Sequence, residues 1–446
     1  MSSNPKIDIV LGAQLGDEGK GRLIDNISGT YDIVARCNSG GNAGHSIYVN
    51  GHKYVFHIVP SGILNEGVIG IIGNGTVINL EDLIREIETI RTTDSNNTNA
   101  ANIYDRLKIS NRAHIVLDIH KFADSYKEQL MMAKSGLNIG TTKQGIGPVY
   151  STKASRRGLR ICDLFCDDYT LKGKIIALIE EFTHMRNSCT ADTETLFFDV
   201  EYVLAKLKTV KDKIAPMVID TITYVNSAVL NDGKRILVEG AQAGLLDVDF
   251  GLYPFCTATG CTVGSVCSGL GIPANMIGNI YYVIKTYCTR VGNGPFPTEL
   301  FDDNGVQLQE RGCEFGATTG RRRRCGWLDI PMVKWSLMIN GGGVDSRICI
   351  NKLDVLDSFE TISVGVSYKL NGVEYKGFPA DLDELAQIEV VYEYFEGWLC
   401  DTKGITRWEQ LPINAQKFIK RIEELLGIKI GWIGTGAKRE DIIVCV

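Results

Sequence analysis

The chain has 446 residues, 47 Lys plus Arg against 53 Asp plus Glu, and a formal net charge of -6. That mild acidity argues against a dedicated nucleic-acid binder, and a composition of 44% hydrophobic and 22% charged residues excludes wholesale disorder. Apolar runs such as Val68–Ile72 and Ile442–Val446 fall far short of the ~18–20 residues of a membrane span, and Ser2–Lys6 leads straight into Ile7–Val10, so a cytoplasmic protein is expected.

Lys6–Gly12 is predicted as a short strand that runs into a polar, Gly-rich loop. Tyr31–Cys37, Tyr54–Val59 and Val68–Ile72 read as further strands. Asn79 is the expected N-cap of a helix with Leu80, Leu83, Ile84 and Ile87 at helical spacing. Thr92–Asn102 is rich in Thr and Asn, lacks periodicity and reads as an exposed loop insertion. His114–Leu117 is strand-like, Lys121–Ala133 is helical, and the stretch 170–230 is mostly helical. Arg235–Glu239 and Ile280–Thr286 are predicted strands. A helix over Pro331–Ile339 is stopped by Asn340 and three glycines, and the strand Arg347–Asn351 follows. Thr361–Leu370 and Val373–Phe378 form a predicted hairpin through Asn371-Gly372. The helix Asn414–Leu426 and the strand Lys429–Ile433 close the chain. The expected architecture is a single α/β domain over residues 1–446. It has a large, mainly parallel central sheet flanked by helices, with a helical insertion at 170–230 and a loop insertion at 92–102. Ligands bind such sheets at the carboxyl ends of the strands.

The loop after the first strand reads Gly12-Ala13-Gln14-Leu15-Gly16-Asp17-Glu18-Gly19-Lys20-Gly21. A strand, a Gly-rich turn with a lysine, and a helix make a phosphate cradle, with Lys20 reaching the β/γ-phosphates. It departs from the standard phosphate loop because Gly21 stands where a Ser/Thr holds Mg²⁺. Asp17 and Glu18 in an anion-binding loop point to a bridging metal or a general base, since bare carboxylates repel phosphates. His45 closes a second glycine loop, where imidazolium suits a transferring phosphoryl group. Asn351-Lys352-Leu353-Asp354 follows an apolar strand: Asp354 suits the N1–H and exocyclic amine of guanine, with the Lys352 stem over the ring. Gly434-Thr435-Gly436, after the strand Lys429–Ile433, offers backbone contacts to the same base. Gly316–Arg324 combines Thr hydroxyls with four arginines, a pattern suited to a small dicarboxylate. The thirteen cysteines contain no CxxC pair and read as reduced, small apolar residues.

These segments, with His57–Leu64, Gly140-Thr141-Thr142, Gly145–Pro148, Arg156-Arg157-Gly158, Glu239–Gln242, Arg290-Val291-Gly292 and Gly294–Glu299, run in order along nearly the whole chain. In this the sequence closely resembles the adenylosuccinate synthetase family. The resemblance implies a fold related to the phosphate-loop NTPases and a GTP-dependent ligation of IMP and L-aspartate through a 6-phosphoryl-IMP intermediate. It implies Asp17 as the base at N1 of IMP, His45 as the acid at the phosphoryl group, and Lys20 and Gln242 as further catalytic residues. GTP is implied at Gly16, Glu18, Gly19, Lys20, Gly21, Gly44, Lys352, Asp354, Thr435 and Gly436. IMP is implied at Asp17, Asn42, Thr142, Arg156, Gln242, Thr257, Val291 and Arg321, and aspartate at Thr318, Thr319, Arg321 and Arg323. Mg²⁺ is implied at Asp17 and Gly44. A homodimer is implied, with Arg156 reaching the partner's site, and neither nucleic acid nor membrane is an expected partner. Leu15, Gly434 and Ala437 stand where the family usually has Trp, often Ser and often Pro.

Other functions are weaker fits. A regulatory GTPase lacks a use for His45 and Thr318–Arg324. A catalytically silent relative has no reason to keep Asp17, His45, Lys20, Asp354 and Arg321 together. A related amidoligase with another amine donor is disfavoured by the Thr318–Arg324 loop.

Overall fold

A computed structural model describes residues 7–49, 51–94, 97–136, 139–186, 192–315 and 322–445. Its centre is a ten-stranded sheet. From one edge to the other the strands are Ile442–Val444, Ile430–Gly434, Arg347–Asn351, Ile277–Lys285, Ile7–Gly12, Ile236–Ala243, Ile33–Arg36, Ile69–Ile72, Leu107–Ser110 and Val218–Ile219. Neighbours pair in parallel except at the first edge, where Ile442–Val444 runs antiparallel to Ile430–Gly434. Such a sheet is covered on both faces, so its strands are continuous apolar runs. Ile7–Gly12 is buried at every position.

Most predicted elements form close to their expected places. Asn79 caps the helix Leu80–Thr93 by accepting from the Asp82 N–H at 3.0 Å. The 170–230 stretch folds as Asp168–Glu180, Thr183–Arg186, Asp192–Leu196, Val200–Ile214 and Thr221–Leu230. Asn371 (φ 53°) and Gly372 (φ 76°) take the left-handed conformations that a tight hairpin turn requires. The strand predicted at Arg235–Glu239 is longer, Ile236–Ala243, because Gly240 lets it close on its neighbour: a Cβ there would lie 2.7 Å from Leu11 Cδ2.

Within the expected 92–102 loop insertion, of which 95 and 96 lie outside the described residues, the rest differs from expectation. The preceding helix continues to Thr93, and Thr98–Ala101 forms a helical turn. Asn97 caps that turn through the Ala100 N–H and donates to the Tyr54 hydroxyl, while Ala100 is fully buried. Asn and Thr are poor helix-interior residues but good caps, so composition alone reads as loop.

A second, five-stranded sheet joins Tyr287–Arg290, Arg324–Asp329, Thr361–Leu370, Val373–Tyr375 and Glu389–Glu396. Two large apolar clusters hold the molecule together. One packs on the central sheet and on the helix Ile413–Leu426. The other gathers the hairpin of His45–Val49 and His52–Phe56 with the helices from Leu80–Thr93 to Val200–Ile214. The carboxyl ends of Ile7–Gly12, Ile33–Arg36, Arg347–Asn351 and Ile430–Gly434 therefore share one rim, and each carries a loop singled out from the sequence.

Candidate active site

Gly16 (φ 92°), Asp17 (φ 59°) and Gly19 (φ 86°) bend the first loop with left-handed backbone, and Gly19 leads into the helix Lys20–Ile27. The buried Glu18 carboxylate accepts from the N–H groups of Gln14 (3.2 Å) and Gly16 (2.8 Å), and from Lys20 Nζ at 2.9 Å. Backbone N–H groups and a lysine thus converge on one carboxylate, the donor set that a phosphate group needs. Gly21 has a steric cause: a Cβ there would lie 2.8 Å from His45 Cβ. The missing Ser/Thr of a standard phosphate loop is therefore the condition for packing His45 against this helix.

His45 is buried, and its Nδ1 meets Glu239 Oε1. Glu239 also accepts from the Ser61 N–H (2.8 Å) and Ser61 Oγ (3.0 Å). Burial pushes the His45 pKa below its ordinary value, and the pairing with Glu239 offsets this only in part. Burial raises the Glu239 pKa, but His45 and Arg36 outweigh it and keep the carboxylate ionised. The pair is then a neutral imidazole donating from Nδ1 to a carboxylate, which leaves Nε2 free.

Asp17 is exposed on the loop crest, and its Oδ2 lies 2.8 Å from Arg323 Nε. The contact is electrostatic, because that N–H is not aligned on any acceptor. Arg323 Nη1 also donates to Glu314 at 2.7 Å. Glu314 is fully buried and accepts from Lys285 Nζ (2.8 Å) and the Tyr287 hydroxyl (2.5 Å). Burial pushes its pKa up, yet Lys285, Lys352 and Arg323 together hold it down to about 2. Glu314 therefore aims Arg323 at Asp17.

A cavity of about 680 Å³ opens over these groups. Gly16, Asp17, Gly19, Lys20, Gly21, Asn42, Gly44 and His45 line it, together with Thr142, Gln242, Thr257, Val291 and Arg323. The Thr142 loop is held by carboxylates of one helix: Glu128 accepts from the Gly140 N–H at 2.9 Å, and Asp124 from the Gly145 N–H at 2.9 Å. Gln242 sits at φ 55°. Lys352, Asp354, Thr435 and Gly436 lie outside the cavity lining, at the ends of two adjacent strands. Asp354 Oδ1 is buried without a partner. Lys352 is in the left-handed region (φ 68°) and donates from Nζ to the Gly312 carbonyl at 2.8 Å. Arg156 also lies outside the cavity lining, exposed at the end of the helix Ile146–Ser155 with φ 64°. Thr318, Thr319 and Arg321 fall outside the described residues.

Glu239, Glu314 and Lys285 were not singled out from the sequence as functional. A charged residue inside an apolar run, as in Ile236-Leu237-Val238-Glu239, is the signal that marks the first of them.

A phosphate cradle at the rim of a parallel sheet, with an aspartate, a lysine and a histidine facing one cavity, defines a nucleotide-dependent phosphoryl-transfer enzyme. The family model for adenylosuccinate synthetase matches residues 9–443, and the chain belongs to that family. It is a carbon–nitrogen ligase that joins IMP and L-aspartate at the expense of GTP in AMP synthesis. The solved structure of the fully ligated adenylosuccinate synthetase from Plasmodium falciparum is similar over 100% of both chains, with 41% identity and a TM-score of 0.91. The succinoaminodeoxyadenylate synthetase of cyanophage S-2L, bound to dGMP and dATP, shares the fold at 19% identity and a TM-score of 0.59, over 99% of this chain and 96% of that one.

Proposed function

We propose that ligation proceeds in two steps in the 680 Å³ cavity, with Asp17 and His45 as the principal catalytic residues. Asp17 takes the N1 proton of IMP, and the electron pair released through the ring makes O6 the nucleophile. O6 attacks the γ-phosphorus of GTP, GDP leaves, and 6-phosphoryl-IMP forms. The amine of L-aspartate then attacks C6 and expels inorganic phosphate. His45 and Lys20 stabilise the transferring phosphoryl group, and Gln242 orients the base. The observation that carries this reading is the convergence of Asp17, Lys20 and His45 on one cavity that Thr142, Gln242 and Thr257 also line. The last group suits IMP together with Asn42 and Val291, and Thr318, Thr319, Arg321 and Arg323 suit the aspartate carboxylates.

Because O6 becomes a phosphate oxygen in this scheme, IMP labelled with ¹⁸O at O6 is expected to pass its label to released phosphate. Loss of the label to water, with unlabelled phosphate, would rule out the intermediate.

Guanine is read by Asp354, whose buried, unpartnered Oδ1 matches a donor edge, with Lys352, Thr435 and Gly436 around the ring. Gly16, Glu18, Gly19 and Gly21 form the phosphate cradle. Asp17 and Gly44 line the same cavity, and an exposed carboxylate with a backbone carbonyl are the hard oxygen donors that would hold a Mg²⁺ there. When bound, Mg²⁺ neutralises charge on the phosphates. Among the described residues no helix is long and apolar enough to cross a membrane. We place the enzyme in the cytoplasm and read residues 1–446 as one domain.

The enzyme acts as a homodimer in which Arg156 serves the partner's IMP site; its exposure outside its own cavity lining supports this. Mixing inactive Arg156→Leu and Asp17→Asn subunits then restores up to about a quarter of wild-type turnover, because a hybrid carries one intact site. No restoration after verified subunit exchange would sink the assignment in trans.

A further inference from the structure

We infer that Arg22 is a second reader of the guanine base, donating to its O6 from the space that the absent side chain of Gly434 leaves open. The inference rests on the guanine site placed above at Asp354, Lys352 and Gly436.

Arg22 lies on the first turn of the helix Lys20–Ile27, next to the phosphate cradle. Its side chain runs across the rim toward the base corner. Nη1 donates to the carbonyl of Gly436 and Nη2 to Asn351 Oδ1. Both acceptors flank the proposed guanine site: Asn351 precedes Lys352, and Gly436 is in the loop that closes it. Burial lowers the Arg22 pKa, while the nearby Cys349, Asp354 and Asp441 raise it, so the guanidinium shares its surroundings with the base-reading carboxylate.

Gly434 makes this position possible. A Cβ at 434 would collide with the Arg22 guanidinium and also with Asn351 Oδ1. Gly434 has no left-handed backbone requirement, so its glycine is explained by space and not by conformation. The loop beyond it is held in place: the Thr435 N–H donates to the Asp441 carbonyl at 2.9 Å, and the Lys438 N–H to Asp441 Oδ2 at 2.9 Å.

Guanine presents two donors, N1–H and the N2 amine, beside one acceptor, O6. Asp354 accounts only for the donors. An arginine has five N–H groups, and the two protein acceptors leave others of the fork free. Adenine carries an amine donor in place of O6, so a fixed guanidinium repels it as Asp354 does.

The test compares kcat/KM for GTP, ITP and 2-aminopurine riboside triphosphate in the full-length enzyme. ITP keeps O6 and N1–H and lacks the amine; the 2-aminopurine nucleotide keeps the amine and lacks both O6 and the N1 proton, so each variant is compared with wild type on the same nucleotide. Arg22→Met is expected to lower kcat/KM about 10- to 100-fold for GTP and ITP alike, mainly through KM, and to leave the 2-aminopurine nucleotide within threefold. Gly434→Ser alone is expected to lower GTP use as well, by displacing the guanidinium. The pair Arg22→Ala with Gly434→Ser puts a hydroxyl in the vacated space and is expected to recover at least fivefold over Arg22→Ala. An equal loss for all three nucleotides, or no loss for GTP, would overturn the O6 assignment. Asp354→Asn separates the two readings: a GTP KM unchanged in that variant removes the guanine site itself, whereas a raised KM there with a normal one in Arg22→Met removes only Arg22. Thermal melting of each variant confirms that the fold survives, and Arg22→Lys, which keeps charge but not the fork, is expected to fall between wild type and Arg22→Met.

Discussion

Asp17→Asn is expected to lower kcat by about 10²–10⁴-fold while melting within about 2 °C of wild type. The choice of asparagine follows from the backbone. Asp17 sits at φ 59°, where most residues are strained and Asn is among the few that are not. Asparagine therefore keeps the loop, the volume and an oxygen toward Arg323, and removes only the ability to accept a proton. Alanine would mix a lost base with backbone strain. Arg323 stays held by Glu314 in the variant, so its position beside residue 17 is kept. Asp17→Glu is the second probe. It keeps the carboxylate and moves it by one methylene, and a displacement of about 1 Å is worth roughly 10²-fold where geometry controls the step. Turnover in Asp17→Asn within tenfold of wild type would remove Asp17 from the role of base.

Features that are local in the chain were legible from it, and those that join distant segments were not. The strand, glycine loop, lysine and helix at Ile7–Ile27 are consecutive, so the phosphate cradle can be read directly. The same holds for the Asn79 cap and the Asn371-Gly372 turn, where one residue's conformational preference decides the structure. Glu239 is different. It meets His45 across 194 residues, and its role exists only because Ile236–Ala243 lies between Ile7–Gly12 and Ile33–Arg36 in the sheet. Glu314 is silent for the same reason: Lys285 and Tyr287 reach it from two different strands, and Arg323 from the residue before a third. The pairing of Leu328 with Val364 in the second sheet likewise has no local signature. Even the glycine at 21, which in sequence is only a departure from the phosphate-loop pattern, gains its reason from the His45 side chain packed against it.

His45→Asn is expected to remove about 10²–10⁴-fold of kcat and also to remove a proton that the wild-type site takes up when nucleotides bind. In the ligand-free protein burial holds the His45 pKa below its ordinary value of about 6.5, so at pH 7 the ring is neutral and Nε2 has no proton to give. A polyphosphate brought to the cradle adds negative charge nearby, which favours imidazolium and raises that pKa. Proton uptake then accompanies binding in the window between the free and the bound pKa. It fades below the free value, where the ring is already charged, and above the bound value, where it stays neutral. Calorimetry of GTP binding with IMP, in buffers of different ionisation enthalpy, reads this uptake directly. The same titration on His45→Asn subtracts protons exchanged by the ligands. Glu239 acts through His45 as a positioning residue: it fixes the Nδ1–H tautomer and stabilises the imidazolium that forms. Glu239→Gln is therefore expected to lower kcat by about 10²-fold, to leave the KM for GTP within threefold, and to reduce the proton uptake. A variant that merely loosened the fold would weaken GTP binding and turnover together. Equal proton uptake in wild type and His45→Asn would place the titrating group elsewhere and leave His45 as a neutral donor.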